Sequence, residues 1–238
     1  MGKHLLCCGD ARDMELVDRL VGKNKIKAAI IDAPYGIKMV ESKLNFSKIK
    51  TPKIILNDDI TSETEYTKFT ENWLRPILPH LATKNSLYLF NSDAMIFALR
   101  HGMENAGIHF SQLLVWIKNQ AVIGRKDYLP QHELIAFGWY GRHQALRTKD
   151  KSVIFCPKPS KNSIHPTQKP IALMRRLILN STLPGDIVYD CFAGSGSLAV
   201  GAEQTQRSSI LIERDEDYCL AIINRMDKLF NIKSKLIS

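Results

Sequence analysis

The chain has 238 residues, 45% of them hydrophobic, enough for one sizeable core or a core with a small appendage. A net charge of +9 favours a polyanionic partner, most simply nucleic acid. No apolar run reaches about 18 residues, which argues against a membrane span. The five cysteines form no C-x-x-C pair, and the odd count without a signal peptide points to a reducing cytosol, so the expected location is cytoplasmic.

In chain order, residues 4–8 read as a short strand ending in Gly9-Asp10. A helix over about 11–21 follows, with Met14, Val17 and Leu20 or Val21 on its apolar face and Gly22 closing it. Asp10 is placed either to meet a ligand hydroxyl or amine or, as is usual for such an acid, to cap this helix. Ala28-Ala29-Ile30-Ile31 is a short buried strand that ends in Asp32-Ala33-Pro34-Tyr35-Gly36. Pro34 fixes its own φ and pushes Ala33 into an extended conformation. Asp32, the Ala33 carbonyl and the Tyr35 ring are thus held at a strand's C-terminal edge, where open α/β sheets bind ligands. Two acceptors beside an aromatic plate suit a flat ring carrying an exocyclic amine. The plain alternative is a strand end with a Pro-Tyr turn.

Beyond Gly36 the pattern dissolves. Lys38, Lys43, Lys48, Lys50 and Lys53 stand against the single acid Glu41, with Phe46 as the one aromatic. This basic loop beside the proposed site reads either as a lid or as a solvated excursion. Ser62-Glu63-Thr64-Glu65 is a capping box, and Tyr66, Phe69, Trp73 and Leu74 then repeat at helical spacing until Pro76 bends or ends the helix. Residues 86–90, 108–117 and 134–137 read as strands, and 93–105 as a helix stopped by Gly107.

From 141 to 164, Arg142, Arg147, Lys149, Lys151, Lys158 and Lys161 face one acid, Asp150, with His143 nearby. Together with Lys118, Arg125 and Lys126 they form the candidate DNA-facing surface; the alternative is a solvated charged excursion. His165-Pro166-Thr167-Gln168-Lys169-Pro170 opens the next helix, with Thr167 as N-cap, Pro170 in the first turn and Leu173, Leu177 and Ile178 buried. A strand at 187–189 leads into Asp190-Cys191-Phe192-Ala193-Gly194-Ser195-Gly196-Ser197 and a helix of small residues. A strand at 208–212 ends in Glu213-Arg214, and a last helix runs from about 216 to 230. Seven strands, mostly alternating with helices, predict a single α/β domain over 1–238 with a largely parallel sheet.

Gly194 and Gly196 let backbone approach a ligand closely, and an acid at the end of the next strand, Glu213, is placed to hold two ribose hydroxyls. The spacing resembles a dinucleotide signature, the one support for a dinucleotide-dependent oxidoreductase. Asp190 interrupts the passage from strand to glycine turn, and no clear second nucleotide-binding half follows. A nucleoside with a short charged tail therefore fits better than a pyrophosphate, with Asp190 beside its cationic group. The His and Cys positions lack metal-site spacing, so no metal is expected.

These motifs, in this order, resemble those of the β-class amino-methyltransferases of DNA, which use S-adenosylmethionine. Asp32-Ala33-Pro34-Tyr35 resembles their catalytic Asp-Pro-Pro-Tyr. The segment holding His165, Thr167 and Lys169 resembles the one just upstream of the cofactor loop, and Asp190 to Ser197 resembles Asp-Pro-Phe-x-Gly-Ser-Gly-Thr. The resemblance covers nearly the whole chain. It implies a Rossmann-like, seven-stranded, mostly parallel sheet with one antiparallel strand, helices on both faces, and a short target-recognition insertion at about 119–164.

It also implies site residues. Asp10, His165, Thr167, Lys169, Asp190, Phe192, Gly194, Ser195, Gly196, Ser197, Glu213 and Arg214 would hold the cofactor, with Asp10 at its adenine and Glu213 at its ribose. Lys43, Lys48, Lys50, Lys53, Arg125, Lys126, Arg142, His143, Arg147 and Lys149 would meet DNA. The target base would leave the duplex and stack on Tyr35, and Asp32 and the Ala33 carbonyl would accept hydrogen bonds from its amine. Asp at the first motif position goes in this family mostly with adenine, so N6-methyladenine is the expected product and N4-methylcytosine the alternative. Ala33 and Cys191 stand where the family has prolines. Neither change removes a functional side chain, so an active enzyme is expected, and an inactive nucleic-acid-binding relative is the alternative. The family also suggests a homodimer, and a partner nuclease or specificity subunit in a restriction-modification setting.

Overall fold

A computed structural model describes residues 1–36, 60, 62–121, 127–143, 146, 150–158 and 168–237. Its sheet is built around β2 (Ile26–Ile31), in which Ala28 to Ile31 are at most 1% exposed. A strand buried on both faces reads as a continuous apolar run and not as an alternation, which explains how it stands out in the sequence. On one side of β2 lie β8 (Ile187–Asp190), β9 (Ser208–Glu213) and β1 (Leu5–Cys8). On the other lie β3 (Leu81–Asn91), β5 (His132–Trp139), β4 (His109–Ile117) and β7 (Val153–Phe155). A two-residue strand, β6 (Arg142–His143), pairs with β3. Only β5 runs antiparallel to its neighbours β3 and β4; the other pairs are parallel.

Successive side chains on each strand feed two separate cores. Leu87 and Leu89 pack with α1 (Met14–Val21), α2 (Glu63–Leu74) and α3 (Ile96–Asn105) on one face. Tyr88 and Phe90 pack with α4 (Ile171–Ser181), α5 (Ser197–Gln204) and α6 (Glu216–Phe230) on the other. Each fully buried large side chain contributes about 1.5–3 kcal/mol. Trp73, Tyr66 and Tyr189 serve the first core in this way, and Trp116 the second. Helices on both faces of a mostly parallel sheet make the Rossmann-like architecture that was expected.

Several local expectations are corrected. Among the described residues the sheet holds nine strands: the seven expected plus β6 and β7, too short to show a period. The N-cap of α1 is Asp13, whose carboxylate accepts from Leu16 N at 3.1 Å, so Asp10 is not used as a cap. Ser62 takes the N-cap position of α2, but no side-chain cap bond forms. Pro76 ends α2 by turning the chain into a 3-10 stretch over Arg75–His80. The cap of α4 is Pro170 and not Thr167. The interval 119–164 contains β5, which lies between β3 and β4 as the strand read at 134–137, and the short β6 and β7.

The topology has one consequence for function. β1, β2, β3, β8 and β9 all end on the same edge of the sheet, and the antiparallel β5 begins there. Asp10, Asp32, Glu133, Asp190 and Glu213 are therefore gathered at that edge. Ligands of open α/β sheets bind at this kind of edge.

Candidate active site

The turn after β2 is pinned from below. Tyr66 donates its hydroxyl to the Pro34 carbonyl at 2.7 Å, and Asn91 Nδ2 donates to the Tyr66 oxygen at 2.9 Å. Gly36 has φ +66°, and a Cβ there would stand 2.1 Å from the Ile60 carbonyl oxygen, so only glycine fits. The turn fixes where Asp32 and Tyr35 point.

Asp32 and Tyr35 meet directly. The Tyr35 hydroxyl lies 2.8 Å from Asp32 Oδ1 and 2.8 Å from Glu133 Oε2. Lys169 Nζ reaches Asp32 Oδ2 at 2.5 Å, Glu133 Oε2 at 3.2 Å and the Tyr35 hydroxyl at 3.2 Å. Its ammonium also lies 5.4 Å from the Tyr35 ring centre and 5.2 Å from that of Phe90. Lys118 Nζ takes the other Glu133 oxygen at 2.8 Å. One phenol thus meets two carboxylates and one ammonium, and a second ammonium stands behind Glu133.

Burial raises the Asp32 pKa, and the Glu133 charge adds to that despite the opposing pull of Lys169. Burial works in the same direction on Glu133, but there Lys169 and Lys118 prevail and hold it down to about 2. For Lys169, burial disfavours the charge, and the two carboxylates outweigh it and raise its pKa. Burial and the neighbouring carboxylates keep the Tyr35 phenol protonated well above its ordinary range.

The second half of the site comes from the strand beside β2. Ala29 and Tyr189 are register partners, so the loops after β2 and β8 leave the sheet side by side. Asp190 is 7% exposed and accepts from Phe192 N at 3.0 Å. Burial pushes its pKa up to about 8, and the charges of Asp32 and Glu213 push the same way. Gly194 has φ +51° and donates its N–H to Glu213 Oε2 at 2.7 Å; the other Glu213 oxygen accepts from Asp215 N at 2.9 Å. Glu213 thus shapes the glycine loop as well as facing the site. Ser197 donates its hydroxyl to the Lys169 carbonyl at 3.0 Å, tying the loop to the segment before α4. The Ser195 carbonyl accepts from Arg225 Nη1 at 2.7 Å. Phe192 packs into the first core against Phe69 and Trp73, with ring centres 6.1 and 5.6 Å away. At the far side, Asp10 is held by Arg12 at 2.6 Å and approached by Arg214 at 3.8 Å. The Arg12 guanidinium keeps the Asp10 carboxyl below its usual range.

The structure thus gathers Asp10, Asp32, Tyr35, Lys169, Asp190, Gly194, Glu213 and Arg214 at one edge. The structure adds four placements to these expectations. Lys169, read from sequence as a cofactor contact, is part of the Asp32 cluster. A Cβ on Gly196 would stand 2.9 Å from Ile222 Cγ1, so the missing side chain also makes room for α6. Lys118 is 5% exposed and paired with Glu133, so it does not face DNA. Arg142 and His143 are exposed, but β6 pairs with Lys84 and Asn85, on the sheet edge away from Asp32. His143 stacks there on Trp139, with ring centres 4.4 Å apart. Lys43, Lys48, Lys50, Lys53, Arg125, Lys126, Arg147, Lys149, His165 and Thr167 lie outside the described residues.

Sequence reasoning missed Glu133, which stands about a hundred residues from Asp32 and belongs to no motif. Its one signal was an acid leading the apolar run Leu134-Ile135-Ala136-Phe137, since such a group needs a partner when buried. Among the described residues, no group of three or more His, Cys, Asp or Glu is arranged to hold a metal, and no helix is long and apolar enough to cross a membrane.

Residues 26–224 match the sequence model of the N6/N4 DNA methylase family. The type II methyltransferase M.HpaI of Haemophilus parainfluenzae is 26% identical over 262 aligned residues, covering 97% of this chain and 76% of that protein. The solved M1.HpyAVI–SAM complex superposes with a TM-score of 0.68 at 22% identity, over 93% of this chain and 98% of that one. The cytosine-N4-specific PvuII DNA methyltransferase gives a TM-score of 0.71 at 16% identity, over 98% and 87%. With the family match spanning most of the sequence and both halves of the site in place, the chain belongs to the N6/N4 family of DNA methylases.

Proposed function

We propose that this DNA methyltransferase methylates the exocyclic N6 amine of an adenine drawn out of the duplex, using S-adenosylmethionine. The observation that carries the reading is the adjacency of the loops after β2 and β8, which sets the Asp32 acceptor beside the Asp190–Gly194 loop. When bound, S-adenosylmethionine supplies a methyl group on a positively charged sulfur. What supports the fit to such a group is Asp190, a carboxyl 7% exposed at the ligand edge: burial pushes its pKa up to about 8, and a cation such as the α-ammonium of the cofactor's amino acid end would stabilise its charged form. Asp10, with Arg214 beside it, faces the adenine end, and Glu213 the ribose.

In this reading Asp32 and the Ala33 carbonyl accept from the target amine and draw its lone pair out of the ring. The segment holding Lys169, tied to the cofactor loop through Ser197, sets the distance between the two halves. Positioning and preorganised acceptors carry the rate. The Tyr35 hydroxyl and its ring are held by Asp32, Glu133 and Lys169, so the plate offered to the base is rigid. The chain acts as one domain, and Lys43, Lys48, Lys50 and Lys53, with Arg125, Lys126, Arg147 and Lys149, meet phosphate. A homodimer, a partner nuclease or specificity subunit, and a cytoplasmic restriction-modification setting complete the proposal.

The test is to treat unmethylated DNA with the purified chain, digest it to nucleosides and identify the product by mass spectrometry. N6-methyladenine is expected. N4-methylcytosine as the main product would overturn the choice of base and keep the chemistry. No methylated nucleoside, with cofactor binding measured, would favour an inactive relative. Asp32→Ala should abolish transfer, by at least about a thousandfold if preorganised acceptors act here as elsewhere, while calorimetry still finds cofactor binding.

A further inference from the structure

The hydrogen count around Tyr35 does not close with ionised carboxylates. Three oxygens stand in a row, Asp32 Oδ1, Tyr35 Oη and Glu133 Oε2, with 2.8 Å between each neighbouring pair. Each such contact needs a hydrogen between the two oxygens. The phenol owns one hydrogen and can point it at one neighbour at a time, and ionised carboxylates own none. Lys169, 3.2 Å from the phenol oxygen, donates into one of its lone pairs and supplies no hydrogen to the row.

We propose that Asp32, the Tyr35 hydroxyl and Glu133 form a proton-holding row, in which Asp32 takes the proton the target amine gives up while Glu133 positions Tyr35 to let it do so. With a proton on Asp32, every partner is satisfied. Asp32 donates to the phenol oxygen, the phenol donates to Glu133, and Lys169 fills the phenol's remaining lone pair. Glu133 is the end that stays ionised, because Lys118 at 2.8 Å and Lys169 at 3.2 Å both sit on it. Asp32 is the end that accepts: it directly follows β2 at the ligand edge of the sheet, and its side chain keeps 24% exposure.

In the step itself Asp32 starts as the carboxylate, with the phenol's hydrogen on it and the Glu133 contact left without one, and the N–H bond of the methylated amine breaks. Its electron pair stays on nitrogen and cancels the positive charge there, and the proton passes to the Asp32 carboxylate. The phenol then turns its hydrogen from Asp32 to Glu133. Glu133 touches neither base nor cofactor in this scheme; it acts through Tyr35.

Charged and polar groups face Asp32 from several packed elements among the described residues. Lys169 comes from the segment before α4, Glu133 from β5 with Lys118 from the end of β4 behind it, Asp190 from β8, and Tyr35 from its own turn. The Glu133 charge favours the proton on Asp32, and the Lys169 charge opposes it. Burial of Asp32 adds to the former.

The source of the proton rests on the methyltransferase reading, but the row itself is tested in the free chain. Carbon-13 NMR of protein labelled at aspartate carboxyls, with Asp32 assigned by Asp32→Asn, gives its titration midpoint without DNA or cofactor. The midpoint should lie above the usual aspartate value of about 4. In Glu133→Gln, whose amide oxygen still accepts from Tyr35, it should fall by about one unit or more, and the acid limb of the single-turnover pH profile should move with it. Glu133→Asp, which restores the charge, should bring the midpoint back up. A wild-type midpoint at or below the usual value overturns the proposal even if Glu133→Gln fails to fold, and so does a folded Glu133→Gln with an unmoved midpoint. Because the titration uses neither substrate, its failure is separate from any failure to find methylated nucleoside.

Discussion

Asp190 works against the stability of the free chain. Its carboxyl is 7% exposed, and its pKa is pushed up to about 8. From about pH 4, where the unfolded chain releases this proton, to about pH 8, where the folded chain does, the unfolded state binds fewer protons, so stability falls as pH rises through that window. Asp190→Asn keeps the acceptor for Phe192 N and removes the acid. It should stabilise the fold at pH 8 but not at pH 4, by on the order of 1–3 kcal/mol and with a higher melting temperature, and it should abolish cofactor binding in calorimetry. Glu133 has the opposite sign. Held down to about 2, it contributes stability above pH 4.5 that is lost as pH falls toward 2, so Glu133→Gln should melt with less acid sensitivity in that range. Thermal melts from pH 2 to 8 on both variants check the two signs together. These two acids also mark what the sequence discloses. Asp190 sits inside a contiguous run whose glycines and strand could be read, and Asp32 likewise. Glu133 reaches the site only through the pairing of β5 with β3, a long-range contact that no local spacing encodes.

At the scale of elements, the glycine loop is held by packing as much as it is opened for a ligand. Gly196 caps α5 with φ +73°, and a Cβ there would press on Ile222 Cγ1 of α6 at 2.9 Å. Gly196→Ala therefore meets two penalties, the left-handed backbone and the clash, together about 1–3 kcal/mol. Ile222→Ala should be destabilising by itself, because it empties a fully buried site. The double variant should be more stable than the sum of the single effects implies, because the clash disappears while the φ penalty stays. Denaturant unfolding of the three proteins decides this; strict additivity would show that the helix does not press on the loop. The same packing explains which elements could be read in advance. α6 spans Glu216–Phe230, the range expected for it, and the structure gives it Asp215 as N-cap. β2, β8 and β9 are short apolar runs between turns. The two-residue β6 and three-residue β7 exist only because β3 and β4 offer them an edge, and nothing in their own composition announces a strand.

For the whole molecule, the question is which surface meets a polyanion. The net charge of +9 gives attraction without direction. The sheet supplies the direction, since the acids that define the site lie at the C-terminal ends of the parallel strands. β6 pairs at Lys84 and Asn85, five residues before Phe90 on β3, or about 16 Å back along the strand. Arg142 and His143 therefore stand at the opposite edge, and His143 is engaged with Trp139 there. A base delivered to Asp32 brings its duplex to the C-terminal edge. Changing Arg142 and His143 together to Gln should leave DNA affinity and its salt dependence unaltered. Changing Lys43, Lys48, Lys50 and Lys53, which follow Gly36 in sequence, should weaken binding and flatten the plot of log K against log salt by about 0.9 for each phosphate that is no longer neutralised. Titrations of a labelled duplex at several salt concentrations measure both slopes. A slope flattened by the Arg142 and His143 changes would mean that the duplex wraps past the sheet to its far edge. An unaltered slope in the lysine variant would remove the loop after Gly36 from the DNA surface and leave the 119–164 stretch to carry it.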